Sequence, residues 1–83
     1  MPLFMDVHDH IEGLTAEAVA GAHERDLEVG PRHGVRYLRY WFDEESGRVF
    51  CLVDAPDAAA AEKVHREAHG LTADQITQVQ EGA

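Results

Sequence analysis

The chain has 83 residues, an apolar share of 45%, and seven basic against sixteen acidic residues, for a formal net charge of −9. This acidity excludes a generic nucleic-acid-binding surface, because phosphate contacts depend on clustered Lys and Arg. The apolar share excludes compositional disorder, and we expect a single domain over residues 1–83. Because a domain this small buries only about 60% of its unfolded surface, pairing with a second subunit is an attractive way to complete the core.

The sequence carries no signal for a membrane or for secretion. No segment has about 20 consecutive apolar residues, and the N-terminal MPLFMDVHDH lacks a basic start and an apolar run of signal-peptide length. The single cysteine, Cys51, fits a reducing compartment. We therefore expect a soluble cytoplasmic protein with no membrane partner.

The first part of the chain predicts a strand and then a helix. Residues 3–8, LFMDVH, alternate between two faces as in a short strand. Thr15 is the expected N-cap of a helix over residues 15–29. The pair Gly30-Pro31 is expected to end that helix.

The middle of the chain predicts a β-hairpin. Residues 35–43 and 48–54 are rich in β-branched and aromatic residues, and the turn EESG joins them. One face of the strand over residues 35–43 should meet the helices. Whichever face that is, the opposite face carries apolar side chains that need another covering. The two alternative faces are Arg36, Leu38, Tyr40 and Phe42, or Val35, Tyr37, Arg39 and Trp41.

The last part of the chain predicts a helix and a weak strand. Asp57 is the expected N-cap of the helix, and Gly70 suits the left-handed conformation after its end. Thr72 and Gln75 have capping-box spacing, which predicts a single helical turn before a strand over residues 75–80.

The element order βαββαβ predicts an α+β, ferredoxin-like fold. It consists of a four-stranded antiparallel sheet with both helices on one face. The other sheet face is too apolar to meet water without a reason. We infer that two such sheets pack face to face in a homodimer, a dimeric α/β-barrel, with a pocket between sheet and helix ends.

Six histidines and one thiol are the residues that suggest chemistry. His65 and His69 have the HxxxH spacing of zinc proteases, but Arg66 stands where such enzymes need a glutamate, so protease activity is rejected. Cys51 is either a small buried apolar residue or a soft metal ligand. Imidazole, thiolate and carboxylate together suit nickel, copper or zinc, and composition does not choose among them.

The chain resembles a family of small nickel-binding proteins, first described as a domain of unknown function, with a dimeric ferredoxin-like α/β-barrel fold. The resemblance covers about residues 1–80 and rests on the stretches MDVH, GLTAEAVAGAHERDL, VRYLRYWFDEESGRVFCLVDAP and VHREAHGL. It implies a homodimer that binds Ni²⁺ without a known enzymatic reaction. In related dimeric α/β-barrels, a histidine between the sheet and the end of the second helix can hold a metal or haem, and His69 corresponds to that place.

The resemblance and the topology together order the candidate ligands. The first and third strands are normally the central pair of this fold, so His8 and Cys51 can approach one another. His65 is expected on the flank of the helix, pointing to solvent. The candidate metal ligands are therefore His69, then His8, then Cys51 and Asp6, and last His65, with the hydroxyl of Tyr40 expected to line the pocket.

The leading hypothesis is a nickel-binding protein that acts in sequestration or homeostasis without catalytic turnover, other late transition metals being alternatives. A haem-binding or cofactor-free monooxygenase-like enzyme of the dimeric α/β-barrel class is the second hypothesis, with Tyr40, Trp41 and His69 shaping its pocket. A dimeric structural module with no specific metal is the third.

Overall fold

The computed structural model describes residues 1–82 and confirms the predicted α+β, ferredoxin-like fold. A short 3₁₀ turn, Gly30–His33, lies between the first helix and the second strand. In chain order the elements are β1 (Leu3–His8), α1 (Ala16–Val29), β2 (Arg36–Asp43), β3 (Arg48–Asp54), α2 (Ala58–Ala68) and β4 (Gln75–Val79).

The four strands form one antiparallel sheet in the order β2-β3-β1-β4. β1 and β3 are therefore the central pair, as the topology predicts. Asp6 lies directly opposite Cys51, and His8 lies opposite Val49. Because side chains alternate along a strand, these residues point to one sheet face, which is the face that the helices cover.

Both helices begin at the predicted caps. The Thr15 hydroxyl accepts a hydrogen bond of 3.1 Å from the Ala18 N–H, and the Asp57 carboxylate accepts one of 2.8 Å from the Ala60 N–H. The core lies between the helices and the sheet. Its buried apolar members are Phe4, Val19, Val35, Tyr37, Val49, Cys51, Val53, Ala55, Ala61 and Val64.

A β-bulge in β2 overturns both predicted strand faces. The pairing with β3 shifts between Tyr37 and Arg39, so that Leu38 is an extra residue on the bulged strand. Tyr37 faces the helices, and after the bulge Tyr40 and Phe42 face the same way, opposite Cys51 and Val49. A strict period of two could not place these three aromatic residues on one face.

The exit of α1 differs in detail from the prediction. The helix ends at Val29, but Gly30 keeps a helical φ of −49° and the chain continues into the 3₁₀ turn. The left-handed residue is Gly34, with φ +67°. Gly30 is needed for close approach, because a Cβ there would lie 2.4 Å from the carbonyl oxygen of Val35.

The segment after α2 is partly as predicted. Gly70 has the left-handed φ of +80°. The predicted helical turn over residues 72–75 is wrong, because this segment is held against the end of β1. The Asp74 N–H donates to the Val7 carbonyl at 2.9 Å, and the Asp74 carboxylate accepts from the Asp9 N–H at 2.6 Å.

The sheet face opposite the helices is rich in apolar side chains. Trp41 is 48% exposed and Leu38 is 37% exposed. A shallow depression on this face is lined by Leu3, Met5, Leu38, Arg39, Trp41, Leu52, Val79, Gln80 and Glu81. Across residues 1–82, neither helix combines the length and the hydrophobicity that crossing a bilayer requires.

Candidate metal centre

Four buried side chains of metal-ligand type converge between the sheet and α2. Asp6 and His8 come from β1, Cys51 from β3 and His65 from α2. One ligand atom from each lies within 4.8 Å of the corresponding atoms of the others. Strand alternation and the antiparallel register place the first three together, and the pairing of helix and sheet brings in the fourth.

The contacts within this group are short. The Nε2 atom of His65 lies 3.0 Å from Oδ2 of Asp6 and 3.3 Å from Nε2 of His8. The Nε2 atom of His8 lies 3.3 Å from Oδ1 of Asp6. Donor atoms that share one transition-metal ion at bond lengths of about 2.0–2.3 Å are separated by similar distances.

A second group lies on the other side of the same imidazole. The Nδ1 atom of His65 is 2.9 Å from Oδ1 of Asp26, a residue of α1. The Nε2 atom of His69 is 3.2 Å from Oδ1 and 3.3 Å from Oδ2 of Asp26, and 3.1 Å from Nδ1 of His65. His65 therefore joins the two groups, with one ring nitrogen in each.

The prediction that His65 points to solvent is wrong, since its exposure is 1%. His65 follows Ala61 by four residues and therefore lies on the same face of α2, the face packed on the sheet. His69 points back towards Asp26 from just beyond the last residue of α2.

Two residues of the site escaped sequence reasoning. Asp26 follows Val19 by seven residues, so an acidic side chain lies within the buried stripe of α1, and that position was a signal. Tyr37 gave no signal. Its ring stacks on His65 with a centroid distance of 4.5 Å. Its single hydroxyl proton has two acceptors within reach, Oδ2 of Asp6 and the Ala61 carbonyl, each 3.1 Å from the hydroxyl oxygen.

Opposite charges set the protonation of the cluster. Burial alone would raise the pKa of Asp6, but contacts with His65 and His8 outweigh it and bring the pKa well below its usual range. Burial would likewise raise the pKa of Asp26, but its contacts with His65 and His69 outweigh burial and lower that pKa. Burial disfavours the charged form of His65, yet Asp26 and Asp6 raise its pKa to about 9.

The same surroundings keep the thiol and the phenol protonated. Burial, followed by the charge of Asp6, raises the pKa of Cys51 well above its ordinary value. Burial and the charges of Asp6 and Asp26 raise the pKa of Tyr37 in the same way. In the metal-free protein Cys51 is thus a neutral, buried thiol, and only a cation that displaces its proton would make it a thiolate.

One carboxylate oxygen of the cluster lacks a hydrogen-bond donor. Oδ1 of Asp6 is buried without a hydrogen-bond partner of good geometry, and Nε2 of His8 lies 3.3 Å from it. Leaving such a group unsatisfied costs about 1–3 kcal/mol, more when it is charged. An inward-facing carboxylate oxygen beside two imidazoles and a thiol fits a cation ligand, so the residues present suit a late transition metal.

A pocket of about 300 Å³ leads to these residues from between α1, the sheet and the end of α2. Tyr40 lies in its wall. The polar side chains that line it are His8, Glu12, His23, Asp26, Cys51, His65 and His69, and the apolar ones include Ile11, Leu14, Ala18, Val19, Ala22, Val49 and Leu71.

The remaining histidines lie outside the cluster. His10 is exposed and has a left-handed φ of +56°. His23 packs its ring against that of Tyr40 in the pocket wall, at a centroid distance of 4.8 Å. His33 pairs with Glu67 at 3.0 Å on the surface.

Comparisons with known proteins agree with this description. No curated protein matches the chain. The crystal structure of SCO4226 from Streptomyces coelicolor A3(2) matches with a TM-score of 0.91 and 38% identity, over 98% of this chain and 99% of that one. The model of the nickel-responsive protein family SCO4226-like matches residues 4–79. The chain therefore belongs to the SCO4226-like family of nickel-responsive proteins, as the sequence resemblance predicted.

Proposed function

We propose that this protein binds nickel and acts in its sequestration or homeostasis without catalytic turnover. The observation that carries the proposal is the convergence of Asp6, His8, Cys51 and His65, all four buried, with His8, Cys51 and His65 also lining the pocket. The family description, which names nickel responsiveness, supports nickel as the ion.

The donor set argues for a late transition metal over the abundant hard cations. Mg²⁺ and Ca²⁺ prefer oxygen ligands, whereas this group offers two imidazoles, one thiol and one carboxylate. Four protein donors leave little room for a substrate on the ion, which favours holding the metal over turning over a substrate.

Calorimetric titration of tag-free protein with Ni²⁺ tests the proposal. We expect saturable binding that Cys51→Ser weakens by more than about 100-fold, since loss of an outer-shell partner alone costs 10–100-fold. His33→Ala removes a histidine of the surface pair with Glu67 and is the matched control, with binding unchanged. Binding that is absent, or equal in the two variants, would contradict the proposal.

The biological role needs a cellular measurement. We expect cells that produce the wild-type protein to tolerate more nickel, and to hold more of it in the cytoplasmic fraction, than cells that produce equal amounts of Cys51→Ser. Equal tolerance and equal nickel content in the two strains would argue against sequestration.

The proposal includes a homodimer of single-domain chains that pack through the open sheet face. Exposed Trp41 and Leu38 on that face support it, because large apolar patches on small proteins mark contact surfaces. Light scattering should give a dimer for the wild-type protein and a monomer for Trp41→Asp. Leu27→Asp is the control, since Leu27 is 45% exposed on α1, and that variant should remain a dimer.

A haem-binding or cofactor-free monooxygenase-like activity is the second candidate. The apolar pocket with Tyr40 and His69 in its lining favours it. It ranks second because Nε2 of His69 is already engaged with Asp26. A Soret band after reconstitution with haem, lost in His69→Ala, would raise this candidate above the first.

A further inference from the structure

The two nitrogens of His65 face two different environments. Nε2 faces Asp6 and His8, whereas Nδ1 faces Asp26 at 2.9 Å. A neutral imidazole has one protonated nitrogen and one free lone pair. If Nε2 supplies its lone pair to a cation, the ring proton must be on Nδ1. The Nδ1–H group can then donate a hydrogen bond to the Asp26 carboxylate.

The hydrogen bonds of His69 give this residue a role different from that of His65. Its Nδ1 lies 3.1 Å from the Leu71 N–H and accepts a hydrogen bond from it. Because a backbone N–H only donates, Nδ1 carries no proton, and the proton of the neutral ring is on Nε2. That nitrogen lies 3.2 Å and 3.3 Å from the oxygens of Asp26, so His69 donates to the carboxylate and has no lone pair there for a metal.

We propose that Asp26 and His69 are positioning residues for the metal ligand His65 and are not themselves ligands. Asp26 holds His65 in the tautomer that presents Nε2 to the cluster, and His69 holds Asp26. This inference rests on the proposed function. It concerns the three-residue group Asp26, His65 and His69, whose spacing would also suit a second cation.

The arrangement has a known physical consequence for binding. A carboxylate that accepts the second N–H of a ligating imidazole fixes the ring and increases its basicity. Asp26 is 2% exposed, so solvent does not screen its charge from His65. The carboxylate should therefore strengthen binding without adding a site.

The number of ions and the affinity are separate readouts of this inference. We expect Asp26→Asn to weaken Ni²⁺ binding by about 10–100-fold while equilibrium dialysis with elemental analysis gives the wild-type number of ions per chain. His69→Ala should weaken binding less, with the same number. His33→Ala, which removes a histidine that lies outside the pocket and pairs with Glu67, is the matched control and should leave both quantities unchanged.

A spectroscopic measurement reports on the tautomer directly. In zinc-loaded protein with ¹⁵N-labelled histidine, we expect His65 to be protonated at Nδ1 and bound at Nε2, and His69 to be protonated and unbound at Nε2. The Nδ1 resonance of His65 should shift in Asp26→Asn. If Asp26→Asn does not fold, His69→Ala and the wild-type spectra still decide the assignment.

The outcomes separate this inference from the proposed function. Loss of one ion per chain in Asp26→Asn or His69→Ala would make these residues ligands and overturn the inference, leaving nickel binding intact. A metal-bound Nε2 of His69 in the nitrogen spectrum would do the same. Absence of Ni²⁺ binding by the wild-type protein would remove the proposed function and this inference together.

Discussion

His65 on α2 and Asp26 on α1 lie 2.9 Å apart, Nδ1 to Oδ1, with both side chains buried. This contact joins the two helices by charge as well as by packing. A buried pair of this kind contributes little net stability when intact, because both groups lost their hydration. Removing one partner is costly, because it leaves the other charge buried and unpaired.

Asp26→Ala should therefore lower the free energy of unfolding of the metal-free protein by roughly 3–5 kcal/mol. Urea unfolding in the presence of a chelator measures this loss. Glu67→Gln breaks the exposed pair with His33 and should cost far less, because solvent screens that pair. Similar losses in the two variants would show that burial does not govern the cluster.

The stability of the metal-free protein should fall as the pH rises from 6 to 9. The pKa of His65 is about 9 in the folded protein against 6.5 for an ordinary histidine. The stabilisation of the folded state by protonated His65 is therefore full below pH 6.5 and is lost as the pH rises through 9. The loss is on the order of 3 kcal/mol, since each pKa unit corresponds to about 1.4 kcal/mol. Thermal unfolding with a chelator measures it, and Asp26→Asn should flatten the profile.

At acid pH the carboxylates impose the opposite limit. The pKa values of Asp6 and Asp26 lie below 3.8. The stabilisation of the folded state by these two carboxylates is therefore full above that pH and is lost as the pH falls. We expect the unfolding temperature to be highest between about pH 4 and pH 6.5. A maximum above pH 8 would contradict a protonated His65 between two carboxylates.

Cys51 should be unreactive in the native, metal-free protein. The thiol is buried and its pKa is raised, and the thiolate is the reactive form. Labelling by a disulfide reagent should be at least about 100-fold slower in the folded than in the urea-unfolded chain. In the variant Ser46→Cys/Cys51→Ser the thiol lies in the exposed hairpin turn and should react at the unfolded rate. Equal rates at both positions would place Cys51 in contact with solvent.

Two glycine-to-alanine changes should act in opposite directions. Gly30→Ala puts a Cβ 2.4 Å from the Val35 carbonyl oxygen and should cost about 1–3 kcal/mol in unfolding free energy. Gly21→Ala, inside α1, meets no atom closer than 4.0 Å and should stabilise by about 0.5–1 kcal/mol. Urea unfolding measures both changes in free energy. Destabilisation by both would contradict the difference between a close Cβ contact at position 30 and none at position 21.

Local signals made most of the fold predictable. The caps at Thr15 and Asp57 act within three residues, and the alternation in β1 needs no distant partner. The proximity of His8 and Cys51 followed from the known order of strands in this topology, and both belong to the cluster.

The details of the site depended on contacts that sequence spacing does not encode. The partner of Asp26 is 39 residues away on the other helix, and the partner of Tyr37 is 31 residues away on β1. The spacing from Ala61 places His65 on the buried face of α2, whereas its position next to Val64 also allows the flank of that face. Only the packing of α2 on the sheet decides between the two.

The bulge at Leu38 means that β2 follows two different alternation frames. Up to Tyr37 the odd-numbered positions face the helices and build the core, and from Tyr40 onward the even-numbered positions face them, with Tyr40 in the pocket wall. Substitutions on the two sides of Leu38 can therefore be chosen independently, one set for the rigidity of the core and the other for the shape of the pocket. Any redesign of this strand should keep its length, because the single additional residue keeps Arg39 out of the pocket and places Tyr40 in its wall.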